Sequence, residues 1–213
     1  MNTIATELTG PAGVLEALLD LPDGEPRAAV VFGHPLPSEG GTMRTRPVHQ
    51  SAKALARIGC AVLRFNFRGV GSSAGAFEDG PGEMEDFRAA LAFMAGRYPG
   101  LPLWAAGFSF GGWVAFRVGA DDPRVTALVG IAPAVGHYDF EPMMGTTKPK
   151  FLVHGDQDPL VTRRMMQPFY AGLQEPKELV VIEGADHVFE GRTIELGEAL
   201  VDLLGDWPAD TGD

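Results

Sequence analysis

The sequence predicts an α/β fold with a mostly parallel central sheet flanked by helices on both faces. Three observations predict it. Short apolar, β-branched runs alternate with segments of helical period along most of the chain. The inner runs are continuously apolar, as strands covered on both faces are. One of them, 103–108, runs straight into a glycine-framed turn and then a helix.

The elements follow in order. An antiparallel edge hairpin is expected within 1–22, near 4–8 and 14–21, turning at Gly10-Pro11-Ala12-Gly13. Residues 28–32 read as a buried strand. Val48, Ala52 and Leu55 mark one face of a helix that stops at Gly59. A strand over 60–67 follows, then a helix with Met84, Phe87, Leu91 and Met94 on its face. Strand 103–108 feeds a helix over 111–119, and 125–131 and 150–154 are two more strands. A helix over 162–173, a strand over 178–182 and a helix over 193–204 complete the pattern, with 207–213 as a frayed tail. Strand–helix alternation needs right-handed crossovers, and sites in such sheets form at the carboxyl ends of the strands.

Composition sets the outer limits. The 213 residues suit a single domain over 1–213, with 45% hydrophobic and 21% charged residues, ordinary globular usage. A net charge of −11 argues against a nucleic-acid or anionic-membrane partner. No apolar stretch approaches the roughly 20 residues of a membrane span, and the start lacks the pattern of a secretory signal. The single cysteine, Cys60, reads as a buried strand residue, which fits a reducing cytoplasm.

Three strand ends carry the chemistry. The first is Gly107-Phe108-Ser109-Phe110-Gly111-Gly112, a G-x-S-x-G between strand and helix. So abrupt a turn strains the serine backbone, and glycines remove the Cβ atoms that would collide there. The serine hydroxyl is then held above the sheet at a helix N-terminus. A hydroxyl is a weak nucleophile near neutral pH and needs an adjacent base held in one tautomer. After strand 150–154 come Asp156 and Asp158; after strand 178–182 comes His187, giving the chain order nucleophile, acid, histidine. The two aspartates compete, because turns after strands attract aspartates that bond local backbone. Asp158 is favoured as the acid, with Asp156 as the turn former. His34 is expected to shape its loop, His154 to be structural, and His49 and His137 to lie at the surface.

These residues, with His34-Pro35-Leu36-Pro37-Ser38, Leu63 to Ser72 and His154-Gly155-Asp156-Gln157-Asp158, resemble the α/β-hydrolase superfamily over essentially the whole chain. The resemblance is strongest to small members without a cap domain, including bacterial serine esterases, and more distant to dienelactone hydrolases, which carry cysteine where this chain has Ser109. It implies a serine hydrolase acting on small or short-acyl carboxylic esters, with Ser109, Asp158 and His187 as catalytic residues. It also implies an oxyanion hole from the N–H groups of Phe110 and, after the first core strand, Leu36, with Ser38 as the fallback. Pro35 and Pro37 have no N–H to offer. Thioesterase, peptidase or acyltransferase chemistry could use the same residues, and a binding protein on this scaffold is the reading from another class.

Phe108, Tyr138 and Phe189 are expected to flank the substrate, and the short segment 134–149 leaves no room for a lid. No metal or other cofactor is expected, since no ligand motif exists. Gly69 to Gly75 lacks dinucleotide-loop spacing. The acidic cluster Glu78, Asp79, Glu83, Glu85 and Asp86 reads as a solvated face at a helix start. Met143 and Met144 read as core, or as part of a pocket rim.

Overall fold

In the computed structural model, which describes residues 2–207, a single eight-stranded sheet runs through the molecule. The elements are β1 (Asn2–Gly10), β2 (Gly13–Leu21), β3 (Ala28–Gly33), α1 (Arg46–Arg57), β4 (Cys60–Phe65), α2 (Pro81–Arg97), β5 (Leu103–Phe108) and α3 (Phe110–Asp121). There follow β6 (Val125–Ile131), β7 (Lys150–Gly155), α4 (Arg163–Gly172), β8 (Lys177–Ile182) and α5 (Thr193–Leu204). The strand order is β1-β2-β4-β3-β5-β6-β7-β8. β1 and β2 form the expected hairpin, β2 joins β4 antiparallel, and all pairings from β4 to β8 are parallel. The fold is the one predicted, without a cap.

Successive residues of the inner strands point to opposite faces, and both faces are covered. Val30, Phe32, Trp104 and Ala106 pack with Val48, Leu55, Leu196 and Leu200 of α1 and α5. Ala29, Val31, Leu103 and Ala105 pack with Phe87, Leu91, Val114 and Met166 of α2, α3 and α4. Cys60 is buried in the first of these layers. Trp207 packs edge-on against Phe151, and the remainder of the expected tail, 208–213, lies outside the described residues.

Two features depart from expectation. The strand over 60–67 ends at Phe65, because Asn66 to Gly75 forms a loop held to β2 by hydrogen bonds to Glu16 and Val14. The acidic cluster is also not uniformly solvated: Glu83 and Asp86 are fully buried. Glu83 accepts hydrogen bonds from the N–H groups of Glu78 and Gly80, closing the start of α2. Asp86 takes two bonds from the guanidinium of Arg68 and one from its backbone N–H. A carboxylate can be buried at such a site only because each oxygen is matched by a donor.

What positions a site is the order β4-β3-β5. The chain leaves β3 toward β4 on one side, and β5 lies on the other, so the loops after β3 and β5 diverge and open a crevice between them.

Candidate active site

The turn from β5 into α3 is tight. Ser109 has φ 54° and ψ −116°, and its main chain is fixed on both sides. Its N–H donates to the Ile131 carbonyl, while its own carbonyl accepts from the N–H groups of Trp113 and Ala134. A Cβ on Gly107 would lie 2.2 Å from the Gly111 carbonyl oxygen, and one on Gly111 would lie 2.3 Å from the backbone of Gly33. The glycines are there for close approach, as the pattern implies, and the hydroxyl of Ser109 projects above the sheet.

From that hydroxyl a continuous chain of hydrogen bonds runs inward. Ser109 Oγ lies 2.9 Å from His187 Nε2, and His187 Nδ1 lies 2.7 Å from Asp158 Oδ2. The two oxygens of Asp158 divide their work. Oδ1 accepts from the N–H groups of Leu160 and Val161, both at 2.8 Å, which fixes the carboxylate and leaves Oδ2 for the imidazole. Burial alone pushes the Asp158 carboxyl up, but the hydrogen bond from His187 and those two N–H groups outweigh it and hold it below the usual carboxylate range. An ionised Asp158 requires the proton of a neutral His187 to sit on Nδ1, leaving the Nε2 lone pair facing Ser109.

Asp156 takes the other part. Its Oδ1 accepts from the N–H of Gly184 at 2.6 Å, tying the loop after β7 to the loop that carries His187. Beside it, a Cβ on Gly155 would meet the Ala185 carbonyl oxygen at 2.3 Å, so the two loops touch backbone to backbone.

The loop after β3 is shaped by His34, which is fully buried. Nδ1 lies 2.7 Å from the Pro35 carbonyl and Nε2 lies 3.1 Å from the N–H of Phe67, so the neutral Nδ1–H tautomer satisfies both. Burial lowers its pKa from 6.5 to about 4, against the smaller opposing pull of the Pro35 carbonyl. The consequence for stability has a definite sign. Between those two values the unfolded chain binds a proton that folded His34 refuses, so stability is lost as pH falls from 6.5 toward 4. The loss from this group reaches roughly 3 kcal/mol and does not grow further below the lower value. Urea unfolding at pH 7 and at pH 4.5 measures it: His34→Gln should flatten part of the dependence, and an unchanged slope contradicts the assignment.

Leu36 follows as the residue entering a 3-10 turn, Pro37–Glu39. Among the described residues no acceptor takes the N–H of Leu36 or of Phe110, and both residues border the cleft over Ser109. Ser38 is exposed within the turn and does not border it.

That cleft has a volume of about 640 Å³ and is lined by Ser109, His187 and loops from both sides of the crevice. Phe108 forms its floor, tilted 5.3 Å beneath the His187 ring. Tyr138 forms a wall. Phe189 does not take the expected place: it is fully buried with Leu196 and Leu200 in the layer under α5. Its φ of 56° reverses the chain just past His187, and the neighbouring Val188 faces the cleft instead. Leu160, the second residue after Asp158, supplies the opposite apolar edge; both edge residues could have been sought beside the candidate triad in sequence. His137, also on the rim, bonds the Leu160 carbonyl. Met143 is core and Met144 packs against it, with neither reaching the cleft. His154 is buried, with its pKa lowered chiefly by burial, and its Nδ1 lies 3.9 Å from Asp158 Oδ2. No group of side chains that could hold a metal ion occurs among the described residues.

Residues 24–148 match the family model described as serine aminopeptidase, S33. The chain belongs to this family. A solved α/β serine hydrolase homologue from Coxiella burnetii is 38% identical, covering 96% of this chain and 98% of its own, with a TM-score of 0.91. A Xanthomonas campestris α/β serine hydrolase without a lid is 34% identical, covering 100% and 98%, with a TM-score of 0.90. An uncharacterized protein of Rickettsia prowazekii is 32% identical over 204 residues, 92% of this chain and 86% of that one. This chain is thus an α/β serine hydrolase of the uncapped type. Like the Xanthomonas protein it has no lid: between β6 and β7 the structure holds only a 3-10 turn, Glu141–Met143.

Proposed function

We propose that the protein hydrolyses small or short-acyl carboxylic esters through an acyl-enzyme on Ser109. The observation that carries this reading is the unbroken hydrogen-bond chain from Ser109 Oγ through His187 to Asp158 Oδ2, opening into an uncovered cleft. His187 Nε2 takes the hydroxyl proton as Oγ attacks the ester carbonyl. Asp158 keeps the imidazole in register and offsets the positive charge it acquires. The N–H groups of Leu36 and Phe110 receive the developing oxyanion, each worth roughly 3 kcal/mol to the barrier. His187 then returns the proton to the leaving alcohol, and a water activated by the same nitrogen releases the acid.

The substrate is read from the cleft. Without a lid there is no apolar tunnel for a long acyl chain, and the apolar edges at Leu160 and Val188 are short. Small-molecule esters are therefore the proposed partners, with neither nucleic acid nor membrane involved. No helix among the described residues is long and apolar enough to cross a membrane, and the lone buried thiol of Cys60 suits a reducing cytoplasm, where we place the protein. The family description keeps amide cleavage as the second reading.

A panel of p-nitrophenyl esters from acetate to palmitate, with acyl thioesters and aminoacyl anilides beside them, tests both. The expected result is a kcat/KM maximum at four carbons or fewer, falling at least about tenfold by ten carbons as methylenes lose their burial. Anilides cleaved faster than every ester would move the assignment to a peptidase.

A further inference from the structure

Among the charged residues that border the cleft there is one sign only. Glu39 stands on the side of the oxyanion loop, at the end of the 3-10 turn after Leu36, and Asp79 stands opposite, just before α2. Among the described residues no lysine or arginine borders the cleft. Neither carboxylate forms an ion pair among the described residues, although Glu78, next to Asp79, pairs with Arg68.

Asp79 is moreover held in place. Its φ is 55°, a left-handed conformation, and Tyr138 donates its hydroxyl proton to Asp79 Oδ1 at 2.8 Å. The Tyr138 ring stacks on Trp113 at 4.4 Å and stands edge-on to Phe110 at 5.3 Å, so the donor cannot swing away. Burial and the Asp79 charge both raise the phenol's pKa, so it remains a donor across the working range. A fixed carboxylate beside an aromatic wall is the combination that recognises ammonium groups.

Resting on the reading of Ser109 as nucleophile, we infer that this cleft sorts esters by charge, with Asp79 and Glu39 as specificity-determining residues. Esters bearing an ammonium group are preferred, neutral ones are accepted, and anionic ones are turned away. The rejected class includes acyl groups ending in carboxylate and thioesters on phosphorylated carriers. The same field favours release of the product, because hydrolysis turns a neutral acyl group into a carboxylate beside two others.

Three p-nitrophenyl esters of matched length test this: the 5,5-dimethylhexanoate, the 4-(trimethylammonio)butyrate and the monoglutarate, each with three methylenes before its end group and each corrected for spontaneous hydrolysis. In low salt kcat/KM should fall in the order cationic, neutral, anionic, with a spread on the order of tenfold, as two partly exposed charges allow. The spread should collapse in 1 M sodium chloride, and in Asp79→Asn/Glu39→Gln. Equal values for the three esters, a spread insensitive to salt, or one retained by the double variant overturns the inference. The salt comparison needs no variant, so it decides the matter even if the substitutions fail to fold. If none of the three esters is hydrolysed, it is the proposed hydrolase function that has failed.

Discussion

Ser109→Ala is expected to lower ester turnover by on the order of 10⁴- to 10⁶-fold in kcat while leaving the unfolding midpoint almost unchanged. The two halves of this expectation have separate causes. In the proposed mechanism the hydroxyl supplies the atom that forms the covalent bond, and His187 faces it at 2.9 Å. Structurally the oxygen does little, because the elbow is held by main-chain bonds from Ser109 to Ile131, Trp113 and Ala134 that alanine retains. Steady-state turnover of p-nitrophenyl acetate, with a thermal melt of the same sample, reads both. A loss under tenfold would remove Ser109 from the mechanism.

Gly107→Ala should produce a large loss of stability. The new carbon would sit 2.2 Å from the Gly111 carbonyl oxygen, 2.3 Å from its carbon and 2.6 Å from Gly112 N, all backbone atoms that no rotamer change can move. Relief requires the start of α3 to shift away from β5, which pulls Ser109 from His187. We expect more than about 4 kcal/mol of destabilisation, or no soluble protein, and a fall in activity of any folded fraction. Gly96→Ala is the matched control. Gly96 lies exposed in α2 with no atom within 4 Å of its added Cβ, and the change should stabilise by up to about 1 kcal/mol. Equal melting temperatures for the two variants would show that the elbow is not packed as described.

These contrasts also mark what could be read in advance. The strands were legible because parallel strands covered on both faces are continuous apolar runs, and β5 and β6 fall on the residues that pattern marks. The residues of the proposed triad could be picked out because each lies within five residues of the end of a strand. The competition between Asp156 and Asp158 was not resolvable from their own pattern, since both lie in the same turn. The fold separates them by aiming one at the Gly184 N–H and the other at His187. Phe189 was misplaced because its direction depends on a left-handed backbone residue that no hydrophobic pattern records. Glu83 and Asp86 looked solvated because their partners come from elsewhere: Arg68 lies across a loop, and the N–H groups of Glu78 and Gly80 are exposed only by the local turn. Asp79 and Glu39 had no sequence signal as a pair, as they face one cleft only because the loops after β3 and β4 both border it.

The central claim is that Ser109 is made nucleophilic by His187. The most direct measurement is the rate at which a fluorophosphonate forms a covalent adduct, followed by intact mass and peptide mapping. The account predicts one adduct per chain on the peptide containing Ser109, absent in Ser109→Ala and slowed at least about a thousandfold in His187→Ala. An adduct on another residue, or labelling that proceeds as fast without the imidazole, contradicts it.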